Sequence, residues 1–436
     1  MPGHPKLRRE HKESDSVGTV SELFAGVGGF RIGLESAGWR TAFSNQWEPS
    51  TKIQHASDCY VHNFGNEGHT NIDISDLVNQ HVASGGKVIP KTDLVVGGFP
   101  CQDYSVAKTL NSAKGLQGKK GVLWWDIHRL VEANRPRYVL LENVDRLLKS
   151  PSSQRGRDFA VMLSTLGSLG YVIEWRVVNA AQYGFPQRRI RVLILATRVT
   201  GRVSLTSSKA RDLLFQTGVL ARALPMSATT DAVIAIDLSA PPERLSTEFG
   251  REGAPTPFLG SGVYFQGIAY TCQGNAVSTE PGTTLGDILV PDTEIPEKFW
   301  IPEARLQEWK YLKGAKTIQR VHRGSGMAYE YAEGSMAFPD LLSNPSRTIL
   351  TGEGGSSPSR FKHVIQRPTG FRRLVPRELE RLNGFPDDWT RCSAKGVEIS
   401  DARRAFFMGN ALVVGLIERV GAVLADEVRR NSRRTA

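Results

Sequence analysis

An α/β fold is what this sequence predicts: a Rossmann-like, mostly parallel sheet followed by a smaller, irregular second domain. Three observations predict it. Strand-like and helix-like stretches alternate along the first 200 residues, the rhythm of a parallel sheet with helices on both faces. A glycine loop, Gly26-Val27-Gly28-Gly29, joins the first strand to the first helix. After Thr200 the alternation stops, and Gly, Pro, Ser and Thr dominate to about Arg367.

Val20–Ala25 reads as the first strand. A helix from Gly29 to Ala37 follows, with Phe30, Leu34 and Ala37 on one face and Gly38 at its C-cap. Strands are then expected at Thr41–Ser44, Leu94–Val96, Tyr138–Leu141, Tyr171–Val178 and Arg191–Thr197, and helices at Trp124–Asn134 and Phe159–Leu169. Helical patterning returns from Pro376. Leu412, Leu416, Val420, Val423 and Leu424 form one apolar face of a terminal helix.

Two buried strands deliver reactive side chains. The apolar run Thr92–Gly98 ends in Phe99-Pro100-Cys101-Gln102, where proline forces the chain out of the sheet just before a thiol. Tyr138-Val-Leu-Leu ends in Glu142-Asn143. In an open α/β sheet, parallel strands open onto one crevice at their C-terminal ends, so Cys101 and Glu142 would face each other there. A thiol beside an acid is a catalytic arrangement. Arg189 and Arg191 flank Ile190, and on a strand they would share a face. Cys272 lacks the proline and the buried strand and reads as structural.

These residues carry a resemblance. Pro-Cys-Gln followed by Glu-Asn-Val resembles the DNA (cytosine-5)-methyltransferases of bacterial restriction–modification systems. Phe24-Ala-Gly-Val-Gly-Gly-Phe30 resembles the family's cofactor loop, and Gln187-Arg-Arg-Ile-Arg191 its Gln-Arg-Arg-x-Arg block. Arg377-Glu378 with Arg381–Pro386, and Gly409-Asn410, resemble the closing blocks. The resemblance implies an S-adenosylmethionine-dependent methyltransferase fold and sequence-specific methylation at carbon 5 of a flipped-out cytosine.

It implies these roles. Cys101 adds to carbon 6, Glu142 bonds ring nitrogen 3, Arg191 meets the cytosine carbonyl and Glu142, and Arg189 meets the phosphate or the Cys101 region. Asn143 orients the Cys101 loop. S-adenosylmethionine would be held by Phe24, Gly26, Gly28, Gly29, Gln46, Trp47, Asp73, Leu123 and Asn410. Gln46 stands where the family has a glutamate for the ribose, and Glu48 is the alternative. Asp73 matches the acid at the adenine amino group, although an aspartate so placed also suits a helix N-cap. DNA contacts are expected from Gln102 and Ser105, from Lys316 and Arg320, and from Thr348 in a Ser-Arg-Thr-Ile element.

The domains implied are a polar tail (1–17), a catalytic and cofactor domain (18–200) and a target-recognition domain (201–367). A returning block and helix (368–428) and a basic tail (429–436) complete the chain. An RNA cytosine-5 methyltransferase and a catalytically inactive DNA-binding module are the competing readings.

Composition bounds the partners. The 436 residues carry 55 Lys/Arg against 44 Asp/Glu, a net charge of +11. Lys298–Arg323 and Arg360–Asn383 each hold seven basic and two acidic residues, which predicts two phosphate-contacting surfaces for double-stranded DNA. No apolar stretch approaches the ~20 residues of a membrane span. The four cysteines form no Cys-x-x-Cys pair, so no metal is expected and a cytoplasmic, nucleoid-associated location fits. A monomer is expected, with a cognate restriction endonuclease sharing its site.

Overall fold

The computed structural model describes residues 16–99, 123–199, 206–230, 232–250, 252–278, 280–321 and 326–435. It divides into two compact units. Unit 1 holds the chain to Val178, Ile190–Ser278 and everything from Val414. Unit 2 holds Asn179–Arg189 and Thr279–Val413.

Unit 1 is built on a sheet whose first five strands are parallel: β1 (Thr19–Leu23), β2 (Arg40–Asn45), β3 (His69–Thr70), β4 (Leu94–Gly98) and β5 (Tyr138–Asn143). Their spatial order is β3-β2-β1-β4-β5. The chain runs outward from β1 to β3 and then returns to lay β4 on the other side of β1. That reversal opens a crevice beyond the C-terminal tips of β1 and β4. Beyond β5 come β7 (Ile190–Arg198), antiparallel to it, and β6 (Tyr171–Asn179). Unbroken apolar runs explain the core: Leu94, Val95 and Val96 on β4, and Leu140 and Leu141 on β5, are buried on both faces, as parallel strands covered by helices require.

The boundary expected near residue 200 falls elsewhere. Besides the short β8 (Met226–Ala228), three more strands, β9 (Ile234–Asp237), β10 (Ser261–Phe265) and β11 (Ile268–Cys272), continue the main sheet, with β10 antiparallel to β6. Phe258 sits edge-on to Phe159 and Trp175, at ring separations of 5.0 and 5.9 Å. Gly262 lies against Trp175 so closely that a Cβ would come within 1.9 Å of the indole. This interlock binds 206–278 to unit 1. Cys272 does end a buried strand, contrary to the sequence reading. Burial nonetheless pushes its thiol up to about 11, so it is inert.

The returning C-terminal helix, Val414–Thr435, crosses helix α1 (Gly29–Ser36) within unit 1. Glycine permits the approach: a Cβ on Gly33 would lie 2.8 Å from the Val414 carbonyl. Trp39 Nε1 donates to the Gly421 carbonyl at 3.0 Å and locks the crossing. No single helix among the described residues is long and apolar enough to cross a membrane.

Unit 2 is tied by charged contacts. Arg372 donates to both oxygens of buried Glu378 at 2.9 and 2.8 Å. Arg347 binds Asp340 at 2.7 Å, and Arg404 binds Glu380 at 2.9 Å. Most cations of the two basic runs, expected to contact phosphate, are paired with acids in this structure. Lys298 pairs with Asp401, Lys316 with Glu333, Arg360 with Glu333, Arg367 with Asp292, Arg377 with Glu294 and Arg381 with Asp387. The acids lie mostly outside the runs, so charge counted along the chain misses them.

Candidate active and cofactor site

The tip of β1 starts the site. Phe24 turns the chain at φ 53°, and Gly26 (φ 55°) and Gly28 (φ 90°) continue in the left-handed region before α1 begins at Gly29. Only glycine suits position 28. A Cβ there would meet the Phe64 ring of helix α2 (His55–Phe64) at 2.3 Å. The loop therefore presents bare backbone at a helix N-terminus, where an anionic group is favoured.

The tip of β2 supplies Gln46 and Trp47. Gln46 is buried, and its Oε1 accepts the Gly26 amide at 2.7 Å. Asn71 holds the Gln46 carbonyl at 2.5 Å. Trp47 leaves 38% of its surface exposed, an open ring face suited to stacking. Glu48 is committed elsewhere, since its Oε2 accepts the Ala56 amide in the first turn of α2 at 2.8 Å. Gln46, not Glu48, therefore faces the loop. Asp73 is the N-cap of helix α3 (Ile74–Ala83), accepting the Ser75 amide at 2.9 Å. The capping alternative is thus realised. Leu123 begins the helix Leu123–Asn134 and packs on the core. A helix N-terminus, a bare glycine loop, an amide-held strap and an exposed indole suit the carboxylate, ribose and purine of S-adenosylmethionine.

Gln46→Leu is expected to weaken cofactor binding by about 1–2 kcal/mol, because it strands the Gly26 amide. Gln46→Glu keeps that acceptor and should hold affinity, whereas Glu48→Gln should change it little. Calorimetry with S-adenosylhomocysteine separates the three; a damaging Glu48→Gln would reverse the assignment.

One group behind the loop escaped the sequence reading. Glu22, fully buried on β1, accepts the Tyr60 hydroxyl at 3.0 Å and the Arg31 amide at 3.4 Å. Arg31 bonds Glu35 at 2.7 Å and stacks over Phe64 at 4.2 Å. An acid in the middle of a strand that reads as buried was the available signal. Burial pushes the Glu22 carboxyl up to about 8, against the pull of Tyr60 and Arg31. With the folded value above the unfolded one, the stability this group contributes is complete below its unfolded value of 4.5. It is lost as pH rises toward and through 8. Glu22→Gln should flatten the fall in thermal stability across that window. An unchanged slope would show that another group titrates.

The tips of β4 and β5 carry the reactive edge. Gly98 pairs in register with Glu142. Asn143 Nδ2 donates to the Phe99 carbonyl at 2.9 Å, so the end of β5 holds the chain where it leaves β4. Arg191 Nε lies 2.8 Å from Glu142 Oε1, with both side chains only partly exposed. The arrangement offers a carboxyl and a guanidinium side by side, suited to the ring nitrogen and carbonyl of a pyrimidine edge. Cys101, Gln102 and Ser105 lie outside the described residues.

Arg189 does not join Arg191. The Gln-Arg-Arg-x-Arg block straddles the two units, and β7 begins only at Ile190. Arg189 is buried in unit 2, donating to the carbonyls of Ile349 at 3.2 Å and Gly409 at 2.9 Å. These two bonds brace unit 2 from inside, and the Cys101 region that Arg189 was expected to meet lies outside the described residues. Gln187 works with it: its Oε1 accepts the Ile349 amide at 3.1 Å, and its Nε2 donates to Asn383 at 2.9 Å. Thr348 spends its hydroxyl on the Arg188 carbonyl at 2.6 Å, which removes it as a base-reading donor. Lys316 is held by Glu333 at 3.4 Å and by the Tyr311 ring at 5.0 Å, a poor phosphate seeker. Arg320 is exposed, its guanidinium 3.8 Å from the Tyr331 ring. Asn410 is exposed at the end of the helix Asp401–Asn410 in unit 2.

Comparison with known proteins defines the class first. The crystal structure of the S. pombe Dnmt2 methyltransferase aligns at a TM-score of 0.56 over 94% of this chain and 99% of that one, at 15% identity. Entamoeba histolytica methyltransferase EhMeth aligns at 0.51 over 94% and 98%, at 13% identity. The chain shares the fold of these methyltransferases. The family model for C-5 cytosine-specific DNA methylase matches residues 18–235 and 266–426. Type II methyltransferase M.Sau3AI of Staphylococcus aureus is 44% identical over 409 residues, covering 92% of this chain and 94% of that protein. Type II methyltransferase M.BanI of Aneurinibacillus aneurinilyticus is 33% identical over 435 residues, with shares of 92% and 94%. The chain belongs to the C-5 cytosine-specific DNA methylase family. It is an enzyme that methylates carbon 5 of cytosine in DNA with S-adenosylmethionine as methyl donor.

Proposed function

We propose that this chain is the modification methyltransferase of a Type II restriction–modification system. It acts on one cytosine within a specific site of double-stranded DNA that a cognate endonuclease also recognises. The observation that carries the reading is the Glu142–Arg191 pair at the tip of β5, beside the Phe99 carbonyl that Asn143 holds. Two residues past Phe99 the sequence places Cys101.

The target base must leave the duplex to reach such a crevice. The Cys101 thiolate adds to carbon 6, and Glu142 donates a proton to nitrogen 3 as charge builds on the ring. Arg191 holds Glu142 and the carbonyl at carbon 2. Bound S-adenosylmethionine supplies an electrophilic methyl group to carbon 5. Loss of the carbon 5 proton to water then expels the thiolate and restores the ring double bond, and nitrogen 3 returns its proton to Glu142. The glycine loop, Gln46 and Trp47 hold the cofactor throughout.

The test combines two measurements. Sequencing methylated cytosines in host DNA expressing the protein should reveal one recurrent site. A duplex carrying 5-fluorocytosine at that site should give a denaturation-resistant adduct with cofactor present, because elimination is blocked. Methylation scattered without a site, or preferred transfer to RNA, would overturn the reading.

A further inference from the structure

The opposite edge of the unit 1 sheet carries a second charged cleft. β1, β4 and β5 start there, and antiparallel β7 ends there. The cleft measures about 600 Å³, and its charged lining is Lys91, Asp93, Arg135, Arg137 and Arg198. Arg198 donates its backbone amide to the Arg137 carbonyl at 2.9 Å, so these two arginines stand on neighbouring strand ends. Arg137 lies over the Tyr138 ring at 5.1 Å.

Arg135 is held in place at a cost. It follows the helix Leu123–Asn134 at φ 49°, a left-handed position that glycine would take more easily. Its Nε and Nη1 donate to the carbonyls of Glu132 and Leu169, both at 3.0 Å. The nearby acids are already used. Asp93 Oδ2 accepts the Thr19 amide at 2.8 Å and the Thr19 hydroxyl at 3.0 Å, and Glu427 pairs with Arg222. Among the described residues, none of Lys91, Arg135, Arg137 and Arg198 has a carboxylate within ion-pair distance; Glu427, which Arg222 already holds, acts on Arg137 only at longer range. The basic runs of unit 2 are largely paired, so this convergence of cations is not the protein's general habit.

We propose that this cleft is a second ligand site, for a compound carrying two or three closely spaced phosphates. Four cations around Asp93, with Glu427 already bound by Arg222, match that charge, and the arginine forks match phosphate geometry. The volume is that of a small-ligand pocket. Five strand residues, roughly 17 Å, separate Arg137 from Glu142, so the ligand is neither the reacting base nor the methyl donor. The same phosphate chemistry could be offered by a free nucleotide or by a nucleic-acid backbone.

The test is calorimetric titration of the full chain with inorganic tripolyphosphate at constant ionic strength. Wild type should bind. Arg198→Glu and Lys91→Glu should each weaken binding at least about tenfold, while Lys395→Glu, the same charge change on an exposed turn of unit 2, should leave it within about twofold. S-adenosylhomocysteine affinity, unchanged in all three, reports an intact fold. Displacement of tripolyphosphate by ATP identifies a nucleotide site, and displacement by a non-cognate oligonucleotide identifies a backbone site. The proposal is overturned if tripolyphosphate binds no better than sulfate, or if Lys395→Glu is as damaging as Arg198→Glu.

Discussion

Cys101→Ser protein should bind S-adenosylhomocysteine and duplex DNA as the wild type does, yet transfer methyl groups more than about a thousandfold more slowly. A hydroxyl near neutral pH is a far weaker nucleophile than a thiolate. Carbon 5 of cytosine is not electron-rich enough to accept a methyl group until carbon 6 has been attacked. The loss should therefore fall on turnover, with KM for DNA and cofactor little changed. The 5-fluorocytosine adduct should vanish in the same variant. Retention of more than about a tenth of wild-type turnover would remove Cys101 from the mechanism.

Glu142→Gln should lower turnover by about 10²–10⁴, the range of a positioned general acid. An amide cannot supply the proton that nitrogen 3 needs when the thiolate adds. Arg191→Met should be damaging by a different route. It removes the guanidinium 2.8 Å from Glu142 and leaves a partly buried carboxylate without that partner. Because the two act as one unit, the double variant should be scarcely worse than the poorer single one. Single-turnover rates on a cognate duplex, with thermal melting as a control, give the comparison. Strictly additive losses, or losses that follow melting temperature alone, would make the pair structural.

The strand tips that carry Gly98 and Glu142 were legible because local pattern and chemistry coincide there. An apolar run ending in Pro-Cys, and another ending in Glu-Asn, can hardly be anything but parallel strands delivering polar groups at their tips. The glycine loop was legible for the same reason. Gln46 was legible as a departure in residue type, but its bond to the Gly26 amide was not. Arg189 misled because alternation along a presumed strand put it on the face of Arg191. The strand in fact starts at Ile190, just after Arg189, which belongs to unit 2.

The sequence by itself determined the alternating α/β architecture, the order of the family blocks and the side chains at the tips of β4 and β5, since each depends on neighbours within a few residues. Tertiary structure alone decided which cations are free and where the units divide. Glu333 neutralises Lys316 and Arg360 across 17 and 27 residues of chain, and Phe258 joins the Phe159–Trp175 cluster across nearly a hundred. It also set Arg135, Arg137 and Arg198 beside Lys91, which in the chain are scattered basic residues. Burial and ion pairing are properties of distance in space, and separation along the chain does not encode them.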